Sequence, residues 1–214
     1  MSWTDNVPSY PPVPIDELYS SAKKWAEKGD WKQSKDLAIK KAVSIVTCMD
    51  CRLLPDRIFG LELGDAEYIR NAGGRVTDDV IRSLLIAQEL LNTKEIVLMH
   101  HTDCGAMYAS KKHDQFLEKV KNKLRVPGLL WSVLTGFLTL FKAVSGVDLV
   151  SYNALPIGPT MKDLENSVVE DVEKLEKSPL IAKEIPIYGV IYHCESGEVT
   201  EVTRKRSSQG MSSG

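Results

Sequence analysis

Residues 66–105 read AEYIRNAGGRVTDDVIRSLLIAQELLNTKEIVLMHHTDCG. Positions 66–70 form a short strand-favouring run, and Asn71-Ala72-Gly73-Gly74 makes a turn. Thr77-Asp78-Asp79 then offers an N-cap to a strongly periodic helix carrying Val80, Ile81, Leu84, Leu85, Ala87, Leu90 and Leu91, with Asn92 as its stop. A further strand is expected at 95–99, ending at His100-His101-Thr102-Asp103-Cys104-Gly105. Strand, helix, strand in this order is a βαβ unit, which requires a parallel sheet and a right-handed crossover.

Upstream, 42–47 is a β-branched run that predicts a buried strand delivering Cys48 at its C-terminal end. Downstream, Leu164, Val168, Val172 and Leu175 mark an amphipathic helix over 161–177, stopped by Ser178-Pro179. Runs at 187–193 and 198–202, separated by Glu195-Ser196-Gly197, predict a closing hairpin. The fold expected is α/β: a mainly parallel central β-sheet flanked by helices, in one domain spanning 1–214. Pro8, Pro11, Pro12 and Pro14 make the opening segment an extended arm, and Leu18, Ala22, Trp25 and Ala26 predict a helix after it. The arm and helix make up 1–36, and the stretch 7–25 is expected to reach onto a partner subunit. Residues 111–125 form a charged helical stretch, whereas 126–150 are apolar, with only Lys142 and Asp148 charged. That much apolar surface calls for cover by protein, at a subunit contact or near the mouth of a site. Residues 204–214 read as a flexible polar tail.

Composition narrows the function. The 27 basic and 29 acidic residues leave a net charge of −2, with no long basic run, which argues against nucleic acid as a partner. The longest uncharged stretch is interrupted by Pro127, Gly128 and Gly136, so no membrane span is expected. No secretory pattern opens the chain, and a cytoplasmic location is expected. There the four cysteines, Cys48, Cys51, Cys104 and Cys194, stay reduced and serve as ligands, nucleophiles or core residues.

In open α/β sheets ligands bind beyond the carboxyl ends of the strands, where both Cys48 and the His101/Cys104 pair are expected. Two thiolates and one imidazole suit tetrahedral zinc and leave a position open for water. Cys48-Met49-Asp50-Cys51-Arg52 fits C-x-D-x-R, and His101 to Cys104 fits H-x-x-C. On these motifs the chain resembles the β-class carbonic anhydrases. The resemblance extends through Gly64-Asp65-Ala66, Arg70-Asn71-Ala72-Gly73-Gly74, 77–84 and 100–105, and it is close over roughly 39–108. Residues 126–150 then stand as an apparent insertion. Glu62-Leu63-Gly64 replaces the Gln-Pro-Gly of plant-type members, which places the chain nearer the compact branch that also contains carbonyl sulfide and carbon disulfide hydrolases.

The resemblance implies one Zn2+ per chain on Cys48, His101 and Cys104, with Asp50 and Arg52 as a hydrogen-bonded dyad beside it. It implies zinc-activated hydroxide attacking a small linear cumulene, as in the reversible hydration of CO2 to bicarbonate. The alternative on the same site is hydrolysis of carbonyl sulfide (COS) to CO2 and hydrogen sulfide. It also implies a homodimer or larger homo-oligomer. In some members the Asp moves onto the metal, and the sequence leaves that open for Asp50. Cys51 keeps two rivals in play: a Cys48-x-x-Cys51 redox pair, and a closed Cys₃His structural zinc in an interaction module. Cys194 reads as a buried small hydrophobe on a core strand, His100 and His113 lack metal partners at useful spacing, and His193 beside Cys194 reads as strand packing.

Overall fold

Strand β1 (Val43–Cys48) is buried along nearly its whole length, which is why its sequence is a continuous β-branched run and not an alternating one. The computed structural model describes residues 13–29, 31–32, 39–107 and 157–205. The expectations for 111–125, the insertion at 126–150 and most of the tail lie outside the described residues.

β1 pairs in parallel with β2 (Ala66–Asn71) on one side and with β3 (Glu95–His101) on the other. β3 pairs in parallel with β4 (Ile187–Tyr192), and β5 (Val199–Lys205) closes the sheet antiparallel to β4, giving the order β2-β1-β3-β4-β5. The winding reverses at β1, because its neighbours are the next strand in the chain and the one after that. Such a reversal opens a crevice beyond the strands' carboxyl ends.

Thr77 caps α3 (Asp78–Leu90) by accepting from the Val80 N–H, and the helix buries Val80, Leu84 and Ala87. The helix expected over 161–177 is observed with the same bounds and is labelled α4 (Met161–Lys177). Thr160 and Asp163 close its N-terminus as a capping box, and its buried face of Leu164, Val168, Val172 and Leu175 lies over β3, β4 and β5. α1 (Ile15–Lys28) ends at Gly29 in the left-handed conformation. A short helix, α2 (Pro55–Phe59), follows β1 and went unread in the sequence, five residues being too few to show a helical period.

The strand boundaries that depart furthest from expectation are the ends of β3 and β5. β3 continues through His100 and His101, which are fully buried. His100 is held in the core by α4 and the turn after β2: its Nδ1 lies 2.9 Å from Ser167 Oγ and its Nε2 3.2 Å from the Gly74 carbonyl. Beside it Asp171 accepts from Arg75 Nε at 2.8 Å and from the Val76 N–H at 3.0 Å. Burial alone would raise the Asp171 carboxyl, but His100 and Arg75 outweigh it and hold it below the usual carboxylate range. β5 runs on to Lys205, two residues into the stretch expected as tail, with Arg204 stacked 4.9 Å from the Tyr188 ring.

Gly74, at φ +68°, closes the turn that lies directly behind β1. A Cβ there would come within 2.8 Å of the Cys48 nitrogen and 2.9 Å of the Thr47 carbonyl carbon, both backbone atoms that cannot swing aside. Gly74→Ala is therefore expected to cost about 2 kcal/mol or more in urea unfolding, from strain and displacement of β1 together.

Candidate metal centre

The crevice at the β1/β3 carboxyl ends is built by three local devices. Asp50 turns the chain after β1: its Oδ1 accepts the Arg52 N–H at 2.9 Å, an Asx turn, and fully buried Leu53 anchors the exit. Arg70, at the end of β2, braces the same loop from behind, donating from Nε to the Cys48 carbonyl and from Nη2 to the Asp50 carbonyl. The third device is Asp103, whose left-handed backbone (φ +55°) bends the chain between His101 and Cys104.

These turns bring Cys48, His101 and Cys104 together. All three are buried, and one ligand atom from each lies within 4.8 Å of the others, with the two sulfurs 3.9 Å apart. His101 Nδ1 lies 2.9 Å from the Thr102 carbonyl, to which it donates, leaving the lone pair on Nε2. That Nε2 is buried and has no hydrogen-bond partner among the described residues. A buried acceptor facing two sulfurs with nothing to accept is costly unless a metal takes its lone pair, so the donor set fits zinc. The sulfurs fit as well. Cys48 is pulled down to about 4, chiefly by the hydrogen bond from the Cys104 thiol, against the opposing effect of burial and with help from His101 and the Asp50 N–H. Cys104 is raised in turn, because its proton is shared with that thiolate and its surroundings are dry.

Asp50 stands at the rim, its Oδ2 4.0 Å from His101 Nε2. It is paired with Arg52, not turned onto the ligand cluster: Arg52 Nε donates to Oδ1 at 2.9 Å and Nη2 to Oδ2 at 2.8 Å. This fork holds the Asp50 carboxyl at about 2, so it is ionised at any ordinary pH.

Of the remaining cysteines, Cys194 departs from its sequence reading. Cys51 is exposed and lies outside the three-residue cluster. Cys51→Ala is accordingly expected to keep its zinc on metal analysis, and loss of zinc would put Cys51 among the ligands. Cys194 was expected on a core strand. It sits instead in the turn after β4, half-buried, with its Sγ 3.4 Å from His101 Nδ1 and its N–H donating to Thr102 Oγ1. β4 stops at Tyr192 because the turn begins earlier than Glu195, and that puts Cys194 beside the ligand loop. His193 bonds Thr200 across the hairpin and takes no part in the site.

A switch point that gathers two cysteine sulfurs, an imidazole and an oriented carboxylate on an α/β sheet has the make-up of a metal centre. Residues 43–199 match the carbonic anhydrase family model, and the chain belongs to that family, in its β class. It is 34% identical over 163 residues to beta-carbonic anhydrase 1 of Mycobacterium bovis, covering 76% of this chain and 83% of the relative. It is 29% identical over 184 residues to a carbon disulfide hydrolase of an Acidianus strain, covering 85% and 87%. The crystal structure of the Streptococcus mutans carbonic anhydrase superposes with a TM-score of 0.67 at 38% identity, over 91% of this chain and all of that one. The chain is thus an enzyme of a zinc-dependent lyase and hydrolase family.

Proposed function

We propose that the chain catalyses the reversible hydration of CO2 to bicarbonate, with one zinc held by Cys48, His101 and Cys104. The observation that carries this reading is the buried Cys48–His101–Cys104 cluster with an unpartnered Nε2, in a member of the β-carbonic anhydrase family. Zinc, when bound, supplies a Lewis acid that makes water a nucleophile at about pH 7. Asp50, ionised and acceptor-only, accepts three hydrogen bonds from Arg52, two at Oδ1 and one at Oδ2, which leaves Oδ2 a lone pair to spare. It takes a hydrogen bond from the attacking water and so aims the oxygen at the substrate carbon. Arg52 keeps the carboxylate charged and turned away from the ligand cluster, so it does not compete for the metal. Thr102, through its carbonyl, fixes the His101 ring so that Nε2 is the ligating nitrogen.

One observation favours a second reading. The carbon disulfide hydrolase relative matches across 85% of this chain, and the same residues would serve a linear sulfur-containing substrate such as COS. Pocket shape and access must then choose between substrates. Purified, zinc-replete protein assayed by stopped flow for CO2 hydration, and beside it for sulfide release from COS, decides. Rapid hydration with slow sulfide release is expected, and the reverse order would make the chain a sulfur-substrate hydrolase.

The enzyme is placed in the cytoplasm, where its thiols remain reduced. No helix among the described residues is long and apolar enough to cross a membrane. It works as a homodimer or larger homo-oligomer. α1 buries none of its residues and exposes Ile15, Leu18, Tyr19 and Trp25, an apolar surface that a second copy would cover. Deletion through Gly29 is expected to give a smaller or less stable species in sedimentation, and an unchanged assembly would remove the arm from the contact.

A further inference from the structure

We propose that Asp103 is a positioning residue for the reaction: acting through Arg52, it fixes the orientation of the Asp50 carboxylate and ties it to the metal-ligand loop. The inference rests on the reading above, in which Asp50 aims the attacking water.

Asp50 and Arg52 are two residues apart in one loop, so their mutual bonds alone do not fix the pair relative to His101 and Cys104. Arg52 is also a long side chain, 37% exposed, with rotamers to spare. Asp103 removes that freedom from the other side of the crevice. Arg52 Nη1 donates to Asp103 Oδ2 at 2.7 Å, and Nη2 donates to the Asp103 carbonyl at 2.9 Å. Together with the two bonds to Asp50, the guanidinium is gripped from two loops, as its rigid fork of donors allows. The grip depends on the backbone at Asp103. Its φ of +55° is unusual for a non-glycine residue and tolerable for Asp, and there it offers carboxylate and carbonyl to the same guanidinium. An ion pair this exposed contributes little to stability, so a left-handed Asp between His101 and Cys104 is better explained by what it orients.

The test is a double-mutant cycle on zinc-replete protein: Asp103→Asn, Asp50→Asn and the two combined. Asn accepts the left-handed backbone and removes only the charge. Asp103→Asn is expected to lower kcat about tenfold with KM and zinc content little changed. In the Asp50→Asn background it should cost nothing further, because both changes act on one group. Additive losses, or an unchanged kcat in the single variant, overturn the proposal. Should Asp103→Asn fail to fold, Asp103→Gly takes the same backbone and keeps the carbonyl bond, and the same outcomes apply. A readout free of turnover is the NMR spectrum of the Arg52 side chain. Separate Nη resonances, from hindered rotation about Nε–Cζ, are expected in the wild type and should merge in Asp103→Asn. Their persistence overturns the clamp. A wild type that turns over neither CO2 nor COS, with resonances that merge as expected, would defeat the functional reading and leave the clamp standing. Turnover that ignores Asp103 would do the opposite.

Discussion

Cys104→Ser, like Cys48→Ser and His101→Ala, is expected to purify without zinc and to lose CO2 hydration by about a thousandfold or more, since the activated water goes with the metal. The loss should be nearly complete in each single variant. Three protein donors are the minimum for a catalytic zinc that keeps one position open, and Cys51 is exposed and outside the cluster, so it does not replace them. The Cys→Ser changes remove almost no volume, so the fold should survive them, whereas His101→Ala empties a ring-sized space at a fully buried position and is the variant whose fold most needs checking. Metal analysis and circular dichroism on the same samples separate loss of zinc from loss of structure. A variant that retained zinc in full would take that residue out of the ligand set.

The second large effect is at Asp50. Asp50→Asn is expected to keep its zinc and lose about ten- to a hundredfold in kcat, because it disturbs an orienting partner and not a ligand. The amide presents one acceptor oxygen and an NH₂ in place of two carboxylate oxygens, so the fork from Arg52 and the bond to water are no longer both satisfied. Protonation cannot mimic this change in ordinary assays. With Arg52 holding the carboxyl at about 2, Asp50 takes up a proton only as pH falls toward that value, and the activity profile near neutrality must come from another group. Near-normal turnover in zinc-replete Asp50→Asn would remove Asp50 from the mechanism.

Residues that announce themselves by spacing were legible in the sequence. Cys48 and His101 could be placed because β-branched runs end at them, and a parallel βαβ order sends such ends to one edge. α4 was legible to its exact bounds from four apolar residues at helical spacing and a Ser-Pro stop. What escaped depends on partners far away in the chain. His100 read as loop because it is polar, yet it is buried in β3 by Ser167, which lies on α4. Asp103 occupied an unspecified place in H-x-x-C, and its contact with Arg52 joins residues 51 positions apart through a backbone angle that no periodicity encodes. Cys194 was misplaced because a hairpin's turn can begin two residues early without altering the apolar pattern that reveals the strand.

The central claim is a zinc on two thiolates and one imidazole with a fourth position left for water, and zinc K-edge X-ray absorption tests it most directly. On the zinc-replete wild type the account predicts two sulfur scatterers at about 2.3 Å and two nitrogen or oxygen scatterers at about 2.0–2.1 Å. Three sulfurs would contradict it, closing the site with a further cysteine and leaving no place for the reacting water.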